Sequence, residues 1–247
     1  MAVREALRAV LPREHGVWFM WLVPLALGAA LSRFTWVHLL LLFAALAFHL
    51  GSSALLEAAR GGRHRARLST WAGGLAGLGV LLMGYPVWRW PVLMLFGGAA
   101  AALLAAQWAL VRLQRERMLV SDALAIGGLQ LWGPISYLVG GGTLDRTAWM
   151  LWTLTFAFFL GTAFHVRTLF RERGDVRYKW LSNGAHLALL AVPAALGVPE
   201  VGVAYVPSAL RAWATPLGRK VRPVVAGVVE IANSVAFALL FLWLWRR

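Results

Sequence analysis

His49, Ser53 and Glu57 recur at intervals of four residues and run out beside Arg60 and Arg63. His165, Thr168 and Glu172 recur at intervals of three and four, with Arg167, Arg171 and Arg173 alongside. On a helix, each set falls on one face. A histidine stacked above a carboxylate can accept or donate a proton, with the carboxylate orienting the ring. Guanidinium groups suit oxyanions because their planar fork donates two parallel hydrogen bonds. Residues of these types could therefore hold an anionic head, a phosphate or a carboxylate, next to a group that moves a proton. Arg13-Glu14-His15-Gly16 is a third concentration. It reads either as an interfacial anchor or as one wall of the same pocket.

Further polar residues lie deep in apolar sequence: Gln130, Tyr137, Asn183, His186, Glu230, Asn233 and Ser234. Ionisable groups in such places are costly and mark candidate functional sites. Glu230 must pair with a cation or hold a proton, and Arg211 or an arginine of the 6–7 loop is a candidate partner. Glu172 and Asp175 could hold Mg²⁺ through a bound phosphate, since Mg²⁺ often uses one or two carboxylates plus substrate oxygens. No cofactor is required by the sequence, and no strong metal-ligand spacing is present.

The elements that must position these groups are membrane-spanning helices. The chain has 247 residues, is 60% hydrophobic and only 14% charged. Crossing ~30 Å of hydrocarbon takes ~20 mostly apolar residues, and nine candidate spans consume most of the chain. They run from about Gly16 to Leu31, Thr35 to Leu56, Leu68 to Val87, a fourth ending near Val111, then Leu119 to Val139, Thr147 to Leu169, Leu181 to Leu196, Pro199 to Ala214 and Val224 to Trp245. The seventh is interrupted by Pro193 and the eighth, with Pro207 at its middle, is short or broken. Alternate connections hold 19 Lys and Arg on one side against 5 on the other. Basic loops stay cytoplasmic. The expected fold is therefore all-α, a polytopic bundle of about nine helices in the cell's inner (plasma) membrane, N-terminus cytoplasmic and C-terminus outside. Tryptophans such as Trp36, Trp88, Trp149 and Trp243 fall near span ends, where an amphipathic ring prefers the headgroup level.

A single integral membrane domain over 1–247 is expected, with 1–15 a cytoplasmic or interfacial lead-in. Two pseudo-related four-helix halves, about 16–112 and 119–214, precede a last helix over about 224–245. Phe48-His49 with Glu57, and Phe164-His165 with Glu172, carry the weak repeat, as do Trp21-x-x-Pro24 and Trp132-x-Pro134. A repeat of four helices preserves orientation and would bring both histidine strips to the cytoplasmic face.

The net charge of +14 is explained by this topology, so nucleic acid is not an expected partner; membrane lipids are. With no cysteine, disulfides, thiol nucleophiles and iron–sulfur ligation are excluded. No Walker loop, GxSxG elbow or HExxH motif occurs.

Three stretches resemble the YwiC-like family of bacterial membrane proteins: Pro12-Arg-Glu-His-Gly-Val-Trp-Phe-Met-Trp-Leu-Val-Pro24 with Gly28, Phe164-His-Val-Arg-Thr-Leu-Phe-Arg-Glu-Arg-Gly174, and Glu230-Ile-Ala-Asn-Ser-Val-Ala-Phe237. The nine-span layout also resembles the UbiA superfamily of intramembrane prenyltransferases. That resemblance implies a prenyl diphosphate held through Mg²⁺ by aspartate motifs in the 2–3 and 6–7 loops. Here the first region reads Ser53-Ala-Leu-Leu-Glu57-Ala-Ala-Arg60, without aspartate, and the second offers only Glu172-x-x-Asp175.

The expected function is a cytoplasm-facing pocket between spans one, two, five and six. It would bind an amphipathic, isoprenoid- or quinone-type ligand, phosphate-bearing in the leading case. Arg13, Arg60, Arg63, Arg167, Arg171 and Arg173 would hold the anion, with Gln130, Tyr137, Asn183, Glu230 and Asn233 lining the site. His15, His49 or His165 would move a proton, oriented by Glu57 or Glu172, if the chain catalyses a group transfer. A small-solute or anion transporter and a non-catalytic membrane assembly protein are the alternatives.

Overall fold

The computed structural model describes residues 16–61 and 64–247. Among them it shows helices and no strand. The α-helices are α1 (Val17–Leu31), α2 (Val37–Arg60), α3 (Arg65–Arg89), α4 (Leu93–Arg112), α5 (Leu119–Gln130), α6 (Trp132–Val139), α7 (Arg146–Leu169), α8 (Val176–Ala195), α9 (Val206–Ala214) and α10 (Pro223–Trp245). A 3₁₀ helix, Pro199–Tyr205, leads into α9. Five of these, α2, α3, α4, α7 and α10, are long and apolar enough to cross a membrane. The protein is a polytopic helical membrane protein.

Two of the expected spans are each built from two pieces. Helices α5 and α6 are separated by Leu131 alone. Pro134 explains the break, because it has no N–H to return to the carbonyl of Gln130, four residues earlier. The 3₁₀ helix of 7 residues and α9 of 9 residues form the other. At their characteristic rises they reach roughly 27 Å end to end, close to the ~30 Å of a hydrocarbon core. Pro207 sits in the first turn of α9, where a missing N–H does no harm. Counting each composite as one rod, the described residues form the nine expected rods.

The largest departure from the sequence reading is at α8. Helix α8 starts at Val176, five residues before the expected Leu181, because Asp175 caps it: its Oδ1 accepts from the backbone N–H of Arg177 at 2.8 Å and of Tyr178 at 3.2 Å. It also continues through Pro193 to Ala195, so Pro193 lies in the last turn and interrupts nothing.

Helix α1 is the hub. It contributes Val23 and Leu27 to a core with Leu154, Phe158, Phe237 and Phe241, and Trp21 and Leu25 to a second core with Leu41, Ala44, Phe96 and Ile135. Its crossing with α6 needs glycine on both sides. A Cβ on Gly28 would stand 2.7 Å from that of Ser136, and one on Gly133 would stand 3.3 Å from Pro24. Ser136 Oγ donates to the Leu25 carbonyl at 2.7 Å, and Gln130 Nε2 donates to that of Met20 at 2.9 Å. Helices α3 and α4 are peripheral: only 17% and 11% of their apolar windows are buried, against 56% for α7.

Candidate functional site

The polar residues of the spans sort into three groups. The largest lies among α7, α8, α9 and α10. Glu230, in α10, is buried at 4% exposure and ion-paired with Arg211 of α9. Arg211 Nη2 reaches Ser208 Oγ at 3.4 Å, and Asn233 Nδ2 donates to the same oxygen at 3.5 Å. The Thr162 hydroxyl of α7 lies beside the Glu230 carboxylate. One turn further, His165 stands edge-on to His186 of α8, ring centroids 6.4 Å apart. His186 Nδ1 donates to the Ser182 carbonyl at 2.8 Å. Lys179 lies at the rim and donates to the carbonyl of Ala212.

Besides Thr162 and Glu230, which face each other, five buried side-chain atoms here have no protein partner: His165 Nδ1, Ser182 Oγ, Asn183 Oδ1, His186 Nε2 and Arg211 Nε. A polar atom left truly unbonded in a protein interior costs ~1–3 kcal/mol. Five on three helices would rival the net stability of a whole domain, ~5–15 kcal/mol. The result is a dense buried polar cluster, a polar chamber, at the meeting of α7, α8, α9 and α10. Its charges are Arg211 and Lys179 against the single carboxylate Glu230, so with neutral imidazoles it is net positive. Glu230 is seven residues into α10, which is roughly 10 Å from the helix end.

The second group is neutral. His49, in α2, packs against the indoles of Trp18 and Trp21 of α1, with centroids 5.4 and 6.3 Å away. His49 Nε2, Trp21 Nε1 and Gln130 Oε1 are buried without a partner. The first turn of α1 joins this group to the chamber. Gly16 lies against Glu230, where a Cβ would meet that of Glu230 at 3.4 Å, and Trp18 lies against His49.

The third group is a shell of ion pairs at the arginine-rich end. Arg167 bonds Asp122 of α5 at 2.9 Å and Glu172 at 3.3 Å, and stands over the ring of Tyr178. Arg171 approaches Asp122 at 3.7 Å. Arg60 pairs with Glu57 and, at 2.8 Å, with Glu116.

The expected site residues are thus divided. His165, Asn183, Glu230 and Asn233 come together in the chamber. His49 and Gln130 belong to the neutral group. Glu57 and Glu172 hold arginines and orient no histidine: Ser53 and Thr168 turn their hydroxyls back onto the carbonyls of His49 and His165, and the acids lie beyond. Arg173 is exposed. Tyr137 packs over Gly142 at the opposite end of α6. Glu172 is tied to Arg167 and Asp175 to the first turn of α8, so Mg²⁺ at this pair would compete with both. Among the described residues no three His, Cys, Asp or Glu groups could hold a metal together. Arg13, His15 and Arg63 lie outside the described residues.

A family model described as YwiC-like protein matches residues 11–137, half of the chain. The chain belongs to the YwiC-like family. It is 28% identical over 249 residues to the protein named "Uncharacterized protein YwiC" of Bacillus subtilis (strain 168), covering 97% of this chain and all of the relative. A protein of Haemophilus influenzae, named only as uncharacterized, is 27% identical over 240 residues, covering 96% and 98%. No solved structure matches. The family match covers α1 and the neutral group, whereas the chamber falls in the part reached only by the full-length relatives.

Sequence reasoning passed over Ser208, Ser182, Lys179 and Asp122. Each had a signal. Ser208 and Arg211 share one face of the broken eighth span at i and i+3, and Asp122 is an acid in the first turn of a membrane helix.

Proposed function

We propose that this YwiC-like protein binds the polar, anionic head of an amphipathic, isoprenoid-type lipid in the chamber formed by α7, α8, α9 and α10. The convergence of unpartnered buried groups around the Arg211–Glu230 pair carries the reading. Lys179, which pairs with no carboxylate among the described residues, adds a positive charge beside the Arg211–Glu230 pair, whereas Arg60, Arg167 and Arg171 lie in a shell already shared among Glu57, Glu116, Asp122 and Glu172. Asn183, Ser182 and the two imidazoles supply neutral donors and acceptors for phosphate or hydroxyl oxygens. In a transfer reaction of the kind the resemblance to intramembrane prenyltransferases implies, His165 and His186 are the groups positioned to take a proton from a lipophilic acceptor. With the arginine-rich loops cytoplasmic in the inner membrane, the chamber is entered from inside.

Mass spectrometry of lipids and quinones retained by the purified protein tests this. A phosphate-bearing isoprenoid is expected with the native chain and lost from Arg211→Gln and Asn183→Ala. Equal retention by folded forms of both variants defeats the proposal. Reporter tags after residues 61 and 174 are expected on the same side of the membrane; opposite sides would remove the topology it needs.

A transporter is the second reading, favoured by one observation: Arg211 lies on a rod broken at Tyr205 and pairs with the intramembrane Glu230. Solute uptake in proteoliposomes that disappears in Glu230→Gln would select it.

A further inference from the structure

A groove of about 550 Å³ lies where α7 begins and α8 ends, lined by Arg146, Trp149, Met150 and Thr153 and by residues 194–197. Its volume is in the range of ligand-binding clefts, ~300–1,000 Å³. Arg146 is some 19 residues, or roughly 28 Å of helix, from His165, so the groove is separate from the chamber.

The guanidinium at its mouth is held in place. Arg146 donates to the carbonyl of Leu196, one of those a helix C-terminus leaves without a partner. Gly197 makes this approach possible twice over. Its φ of +76° turns the chain, and a Cβ there would stand 2.7 Å from Arg146 Nη2. The neighbouring carboxylate does not consume the charge. Asp145 caps α7, accepting from the backbone N–H of Ala148 at 3.2 Å and the Thr143 hydroxyl at 2.9 Å. Desolvation opposes its ionised form, but these hydrogen bonds outweigh it and hold the carboxyl below its usual value.

Polarity changes in order along the groove. Arg146 is at the membrane end of a spanning helix. Trp149, one turn in and 50% exposed, is at the level indoles prefer. Ala194 and Ala195 form the facing wall near the level of Arg146, which bonds the adjacent Leu196, while Met150 and Thr153 lie further in, Thr153 turning its hydroxyl onto the Trp149 carbonyl at 2.9 Å. A fixed cation, an indole and an apolar slot, in that sequence along the bilayer normal, match a phosphodiester, a glycerol region and an acyl chain. We propose that this groove holds a phospholipid of the leaflet opposite the arginine-rich loops, its phosphate on Arg146 and one chain along Trp149 and Met150.

The test uses the full chain in bilayers doped with lipids brominated on the acyl chain. Quenching of Trp149 is read as the difference between the native protein and Trp149→Phe. Brominated phosphatidylglycerol is expected to be preferred over brominated diacylglycerol, which lacks the phosphate, by about tenfold in effective affinity, as a charge-assisted bond warrants. R146Q should abolish that preference while diacylglycerol quenching stays. A194F should lower quenching by both lipids. Equal quenching by the two lipids in the native chain, or a preference that survives in R146Q, overturns the proposal. Neither outcome bears on ligand retention in the chamber.

Discussion

The two histidine strips look alike as sequence and are unlike as structure. Around His165, α8, α9 and α10 bring a second histidine, an arginine, a lysine, an asparagine and a buried acid. Around His49, α1 brings two indoles, and the acid and arginines of the strip lie at the exposed end of α2. The difference comes from neighbours, not from the strips. Helix α7 lies in the middle of the bundle and meets polar faces, whereas α2 packs mainly on α3, whose opposing face is Ala72, Leu75 and Ala76. A spacing that aligns polar groups on one helix says nothing about what the adjacent helix presents to them.

The sharpest way to break this contrast is to remove one acid from each side. Glu230→Ala leaves Arg211 buried and unpaired, and should destabilise the protein by ~3–5 kcal/mol. Glu57→Ala, which opens a half-exposed pair, should shift stability by ~1 kcal/mol or less. Chemical unfolding in detergent reads both, and equal losses would mean that the chamber is open to water. Next in size is the helix crossing that holds α1 against α6. Gly28→Ala should cost ~1–3 kcal/mol through overpacking, while Gly73→Ala, with open space beside it, should be neutral or gain up to ~1 kcal/mol from helix propensity.

The third comparison concerns function. His165→Phe should lower retention of the chamber ligand about tenfold or more, the loss of one charge-assisted hydrogen bond, while His49→Phe, in its indole surround, should leave retention unchanged. If only His49→Phe reduces it, the polar head sits at the neutral group. The smallest effect is at the cap of α7: Asp145→Ala should cost ~1 kcal/mol and leave ligand retention alone.

Much of this was readable before any coordinates. The length and apolarity of the segments dictated helices, because a backbone in lipid must bond to itself. Even the broken eighth segment and its Pro207 were visible, and Arg211 was one of the candidate partners of Glu230. Less visible was the extension of α8 back to Val176, because capping by Asp175 is a local geometric event in a stretch that otherwise reads as charged loop. The expected pocket between spans one, two, five and six shares only α7, the sixth span, with the chamber. Arg167 and Arg171 were read as free cations because Asp122, some 45 residues away, has no sequence mark linking it to them.

Segment hydropathy therefore determined a helical membrane protein of nine rods, and three local motifs carried the resemblance to the family to which it belongs. Which histidine stands beside charge, which arginine is already neutralised, and where polar atoms are left without partners were decided only by tertiary packing. Those properties depend on pairs of residues far apart in the chain, and a side chain's chemistry in a low-dielectric interior is set by whatever group the neighbouring helix places within a few ångströms.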